Sequence, residues 1–158
     1  MAGDGSKVLR PEDVQEVTGS SYPEEFQPVT KDRFIRRVGD FGGMKNFGVN
    51  IVRLAPGGQS SCRHAHSRQD EFVYVMEGEC VLETDAGQEK VSAGTYIGFP
   101  AGTGDAHRFI NKTNRDAYFL VIGDRTANDV VTYPDVDLHG KFGADGKIQF
   151  TRKDGTTF

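Results

Sequence analysis

Two histidines one residue apart, with a glutamate five positions on, constrain this chain more than anything else in it. They are His64, His66 and Glu71, set in the pattern G-x5-H-x-H-x4-E-x6-G from Gly58 to Gly78. On a strand, alternate side chains share a face, so both imidazoles project the same way, about 6.5–7 Å apart along the chain. A lone inward histidine is ordinarily a hydrogen-bonded core residue. Two in register, a carboxylate opening the next strand and a third histidine, His107, opening another do not fit a core, because burying such groups unpaired is costly. One cation offers a solution: neutral imidazoles donate to it and the carboxylate compensates its charge. His64, His66, Glu71 and His107 are therefore candidate ligands of a single metal ion.

The surrounding sequence reads as short strands closed by turns. Phe47 to Leu54 is apolar on both faces, and Ala55-Pro-Gly-Gly58 ends it. Ser60 to His66 alternates, with Ser60, Cys62, His64 and His66 expected on one face. Glu71, Val73 and Val75 face one way in the next strand; Phe72, Tyr74 and Met76 face the other, and neither side is expected to meet water. Further strands are expected over Cys80–Thr84, 89–91, 95–99, 107–111 and 117–122. Such a rhythm marks an antiparallel sandwich or barrel, so the fold class is all-β.

Both ends of the chain are polar. Residues 1–45 read as an N-terminal arm with the first strand or strands, and Pro11-Glu-Asp-Val14 suits one helical turn. Phe34 to Val38 is a short strand and Gly39 to Gly43 a turn. Residues 46–123 form the expected barrel core, and 124–158 a C-terminal extension packed on it. There, Tyr133 to Leu138 reads as extended, and Asp145-Gly146 as a hairpin turn.

Composition narrows the partners. The net charge of −4 disfavours nucleic acid or an anionic membrane, which need a basic face. The cluster Arg33, Arg36 and Arg37 reads as ordinary surface. No apolar run nears the ~20 residues of a membrane helix, and Met1 to Arg10 lacks the apolar segment of a secretory leader. A cytoplasmic protein is expected, with Cys62 and Cys80 as free thiols.

Gly58 to Gly78, with Gly94 to Asn111 (G-x5-P-x-G-x4-H-x3-N), resembles the two motifs of the cupin superfamily. The second has four residues between Gly102 and His107 where the usual pattern has two. The chain is similar to the small single-domain, metal-binding (monocupin) branch. That resemblance implies a double-stranded β-helix, or jelly-roll, barrel with the metal inside, held by His64, His66, Glu71 and His107. It also implies turn-forming roles for Gly58, Gly78, Gly94, Pro100 and Gly102, and a homodimer built through the outward row Phe72, Tyr74, Met76.

Three histidines and one carboxylate leave positions open for water, dioxygen or substrate oxygens, and suit one divalent Fe, Mn, Ni, Co, Cu or Zn ion per chain. Two functions follow as expectations. One is a metal-dependent enzyme, a dioxygenase-like oxidoreductase, an isomerase or a lyase, acting on a small chelating, oxygen-rich molecule. The other is a module that binds or senses such a molecule without turnover. Tyr96 and Asp105, near the second motif, are candidate proton carriers, with packing and turn formation as their plainer roles.

Overall fold

The computed structural model describes residues 8–158; residues 1–7 of the expected arm, and most of the stretch read for a leader, lie outside the described residues. The strands, in chain order, are β1 (Val17–Thr18), β2 (Arg33–Arg36), β3 (Phe47–Leu54), β4 (Ala65–His66), β5 (Glu71–Glu77), β6 (Glu79–Thr84) and β7 (Gly87–Ser92). After them come β8 (Tyr96–Phe99), β9 (Arg108–Ile110), β10 (Ala117–Asp124), β11 (Val130–Tyr133), β12 (Leu138–Phe142) and β13 (Ile148–Thr151). One helical turn, α1 (Val38–Phe41), stands where a plain turn was expected. No helix among the described residues is long and apolar enough to cross a membrane.

The strands form three antiparallel sheets, ordered β1-β2-β3-β10-β5-β8, β7-β6-β9 and β13-β12-β11-β4. Period-two patterning sets their faces. Val73 and Val75 of β5, Phe119 and Ala117 of β10, and Val52 and Leu54 of β3 point inward. They pack on Cys80 and Leu82 of β6 and Phe109 of β9, making one core between the first two sheets. A second core joins the C-terminal strands to the arm and contains Tyr22, Cys62, Val131, Tyr133 and Leu138.

The arm is therefore anchored: Val14 and Tyr22 are buried, and Thr18 and Val17 pair with Phe34 and Ile35. Beyond the β11 strand, Pro134 to Asp137 is a turn, not the extended segment expected. The pairing of β12 with β13 around Asp145-Gly146 is as expected.

Two motif residues close turns by different means. Asn111 is fully buried. Its Nδ2 donates to the carbonyls of Leu54 (2.9 Å) and Arg115 (2.7 Å), and its Oδ1 accepts from the Thr113 amide (3.0 Å). Gly78 has φ +80° and lies so close to the next turn that a Cβ would sit 2.7 Å from the Asp116 carbonyl oxygen. Gly57 shares the φ of +80° but has open space where its Cβ would be. Gly57→Ala is thus expected to cost only the left-handed strain, about 1–2 kcal/mol, and Gly78→Ala clearly more. Urea unfolding of the two variants checks this; equal losses would contradict it.

Candidate metal centre

Glu71 opens β5 with the same inward parity as Val73 and Val75, so its carboxylate lies inside the barrel. His66 is in β4, paired with Val131 of β11. His64 and His107 form an isolated bridge between the two motifs: the His64 amide donates to the His107 carbonyl (3.1 Å), and the His107 amide to the His64 carbonyl (2.8 Å). The rings follow. His64 lies 4.8 Å from His107 and 5.1 Å from His66, centroid to centroid.

One ligand atom each from His64, His66 and Glu71 lies within 4.8 Å of the others. With metal–ligand bonds of about 2.0–2.2 Å, one cation spans such a set after small side-chain adjustments. His107 meets this group through Glu71, its Nε2 being 3.3 Å from Oε1. Its ring is buried and stacked on Phe99 at 3.6 Å, and its Nδ1 has no partner.

The far nitrogens of the first two rings fix their tautomers. His64 Nδ1 lies 3.0 Å from the Cys62 carbonyl, which can only accept, and 3.2 Å from Ser61 Oγ. His66 Nδ1 lies 2.6 Å from Asp129 Oδ2. Both rings therefore carry the proton on Nδ1 and turn the Nε2 lone pair to the centre, the arrangement in which outer partners orient metal ligands. Asp129 is fully buried. Its Oδ1 accepts from the Arg68 amide (2.7 Å) and Ser67 Oγ (3.1 Å).

Electrostatics favour the ligating forms. Burial, reinforced by the neighbouring histidines, pushes the His64 pKa down to about 4, so its ring is neutral at physiological pH. Burial alone would raise the Glu71 pKa; the hydrogen bond from His107 and the adjacent imidazoles outweigh it and hold the carboxyl below its usual range. Beside these groups is a cavity of about 200 Å³, walled by His64, Glu71 and His107 on one side and Val73, Phe109 and Phe119 on the other. A wider cleft of about 890 Å³ reaches Glu71 from outside.

Other expectations fare differently. Ser60 to Arg63 is a run of bends, so strict alternation fails there. Ser61 then reaches His64, while the Cys62 side chain packs in the second core and its carbonyl lies against His64 Nδ1. Tyr96 is 71% exposed on the outer face of β8, over Phe72. Asp105 is exposed and accepts from the Asp85 amide at 2.9 Å. Neither lines the cavity at the centre. The extra residues between Gly102 and His107 form an exposed rim over Thr103 to Asp105. His107 keeps its bridge to His64, and the Gly102 amide still donates to the His66 carbonyl (2.9 Å).

Sequence reasoning missed Ser61, Asp129 and the Phe99 ring. Asp129 lies 63 residues after His66 in a stretch read as polar tail; the one available sign was an acid directly before the apolar pair Val130-Val131. Asp129→Asn keeps the shape but loses the carboxylate behind His66. It is expected to weaken metal binding about 10–100-fold, measured by chelator competition with zinc. Wild-type affinity would remove Asp129 from the centre.

The fold agrees with known proteins. Residues 50–123 match the family model described as a Cupin domain. No curated protein matches the chain. Among solved structures, a sugar phosphate isomerase from the cupin superfamily of Silicibacter pomeroyi is 43% identical, with a TM-score of 0.91 over 96% of each chain. A candidate sugar phosphate isomerase from Acidithiobacillus ferrooxidans is 24% identical, with a TM-score of 0.78, covering 96% of this chain and 95% of that one. The polyketide cyclase RemF from Streptomyces resistomycificus is 24% identical, with a TM-score of 0.62, covering 75% and 78%. These last two share the fold. A rolled antiparallel barrel, two histidine-bearing motifs bridged inside it and near-full-length similarity at 43% identity together make this chain a member of the cupin superfamily.

Proposed function

We propose that this chain is a metal-dependent enzyme acting on a small, oxygen-rich chelating molecule, and that its reaction is the isomerisation of a hydroxy-carbonyl compound of the sugar phosphate class. The first part rests on the convergence of donor atoms from His64, His66 and Glu71 within 4.8 Å beside a cavity of about 200 Å³. The name of the 43% identical Silicibacter pomeroyi protein supports the second. In this reading His64, His66, Glu71 and His107 bind one divalent transition metal ion. Such an ion supplies Lewis acidity at a carbonyl or hydroxyl oxygen.

The chain's own residues do the rest. The partners on His64 and His66 fix both rings before substrate arrives. Val73, Phe109 and Phe119 keep water from the reacting carbons. Isomerisation balances without an added oxidant: a proton leaves the hydroxyl-bearing carbon, one is delivered to the carbonyl carbon, and the hydroxyl proton moves to the former carbonyl oxygen. Glu71 is the only carboxylate lining the inner cavity among the described residues. With one of its oxygens on the ion, its other oxygen would carry that proton.

The oxygenase expectation uses the same ligands but lacks the support of the Silicibacter pomeroyi relative. Binding without turnover is the second reading, favoured by one observation: the wall offers no acid–base carboxylate beyond Glu71 itself. The test is product formation from three- to six-carbon aldose and ketose phosphates by protein loaded with Mn, Fe or Zn, with metal content measured in parallel. We expect metal-dependent interconversion, reduced at least 100-fold in His64→Ala and Glu71→Gln. Saturable binding with no product under any metal would decide for the binding module.

The same reading includes a homodimer. The outer face of the large sheet aligns Ile51, Leu120, Tyr74 and Tyr96 across four strands, with Val49, Ile122 and Phe72 in the adjacent row. Phe72 is 40% exposed and Met76 45%, so the aromatic row that was expected to be sheltered is uncovered in one chain. A second copy packing sheet on sheet would cover it. Sedimentation should show a dimer for wild type and a monomer for the double variant Phe72→Glu, Tyr74→Glu; a monomeric wild type would end this part.

A further inference from the structure

The guanidinium of Arg33 has no part in the centre described above, and its surroundings do not account for its charge. Nη1 donates to the Ser60 carbonyl at 2.6 Å and Nη2 to the Gly19 carbonyl at 3.0 Å. Its Nε is buried with no partner. The other half-buried arginines are matched, among them Arg36 with Glu16, Arg53 with Glu16 and Asp116, and Arg63 with Asp85 and Asp135. Among the described residues Arg33 forms no ion pair. Burial, together with the nearby charge of Arg37, lowers its pKa, yet an arginine stays charged in a protein. A mostly enclosed cation facing only neutral carbonyls is an expensive choice for a structural staple. A staple also leaves the free Nε unexplained.

Its position suggests what completes it. Two chambers share a wall made of Tyr22, Arg33, Ile35 and His64. The inner one, about 200 Å³, is lined by His64, Glu71 and His107, while His66 lines the other. The outer one, about 270 Å³, is lined by Ser20, Ser21 and Arg37. Glu71 is the only carboxylate on either wall among the described residues, and it is engaged by His107. At ~30 Å³ per water-sized group, the inner chamber has room for about seven such groups, the size of a short oxygenated carbon chain.

We propose that Arg33 is the anion-binding residue of the substrate pocket, taking a terminal oxyanion, a phosphate monoester or a carboxylate, while other oxygens of the same molecule face His64 and Glu71. This rests on reading the barrel interior as the substrate site and is independent of the reaction performed there. A guanidinium is a planar array of N–H donors that matches an oxyanion, and Arg33 lines both chambers. Arg37 and the hydroxyls of Ser20 and Ser21 stand on the same chamber wall. A neutral sugar would leave the buried charge unanswered, so the pocket discriminates against it.

Calorimetry on the full, metal-loaded chain tests this with inorganic phosphate, malonate and xylitol, at ionic strength held constant with sodium chloride. Wild type should bind phosphate or malonate saturably and xylitol not at all; the preferred anion identifies the oxyanion class. Arg33→Met should weaken that binding at least tenfold with metal content unchanged, and Lys90→Met, an exposed control on β7, should not. If Arg33→Met does not fold, Arg33→Lys, which keeps the charge but loses the fork, should hold metal and bind the anion more weakly than wild type. Absence of saturable binding of both anions by wild type, or wild-type affinity in the folded Arg33 variants, overturns the proposal. Absence of metal from wild type would instead remove the metal reading, and the anion titration would still report on Arg33.

Discussion

The reciprocal pair of amide–carbonyl bonds between His64 and His107 is the constraint on which the centre depends. It joins two segments more than forty residues apart at the place where their side chains have chemistry to offer. A side chain can swing; a two-bond backbone bridge cannot slip without flipping every neighbour to the other face. The ladder therefore fixes where the imidazoles start, and Asp129, Ser61 and the Phe99 ring need only set their tilt. Glu71 arrives from a different sheet, carried by the inward parity of β5.

Much of this was legible in the sequence because strands obey a period of two. Val73, Val75 and Glu71 lie on one face, and the pattern alone places them together. The limits of β3, and the hairpin at Asp145-Gly146, follow from patterning and turn chemistry. One cause of failure is an interrupted ladder. Ser60 to Arg63 bends, so parity assigns Cys62 and Ser61 to the wrong sides. Tyr96 and Asp105 are near His107 in sequence, yet one faces outward and the other sits on the rim. Asp129 and Arg33 were invisible for a different reason. Each meets the barrel through long-range contacts that no local pattern encodes, and each is a charge that sequence reading assigns to surface by default.

The N-terminal arm and the C-terminal strands act together. Tyr22 stands edge-on to Tyr133 and Phe150, with ring centroids 5.9 and 5.5 Å away. His64 stacks on Tyr133 at 5.9 Å. The second core thus abuts the candidate ligands directly, and the same tyrosines that hold the arm down wall the pocket. Burial raises the hydroxyl pKa of Tyr22 to about 12 and that of Tyr133 further, so both remain neutral donors. Packing that pins the arm and packing that shapes the pocket are one set of contacts.

The lengthened rim between Gly102 and His107 shows how the scaffold separates variation from precision. Its residues project into solvent, while the amides on either side stay tied to His66 and His64. Segment length there is mechanically decoupled from the imidazoles, much as a sleeve can be re-cut without moving the shoulder seam. A lineage could lengthen or shorten the surface at this one place by insertion or deletion while the apparatus beneath stays as it was.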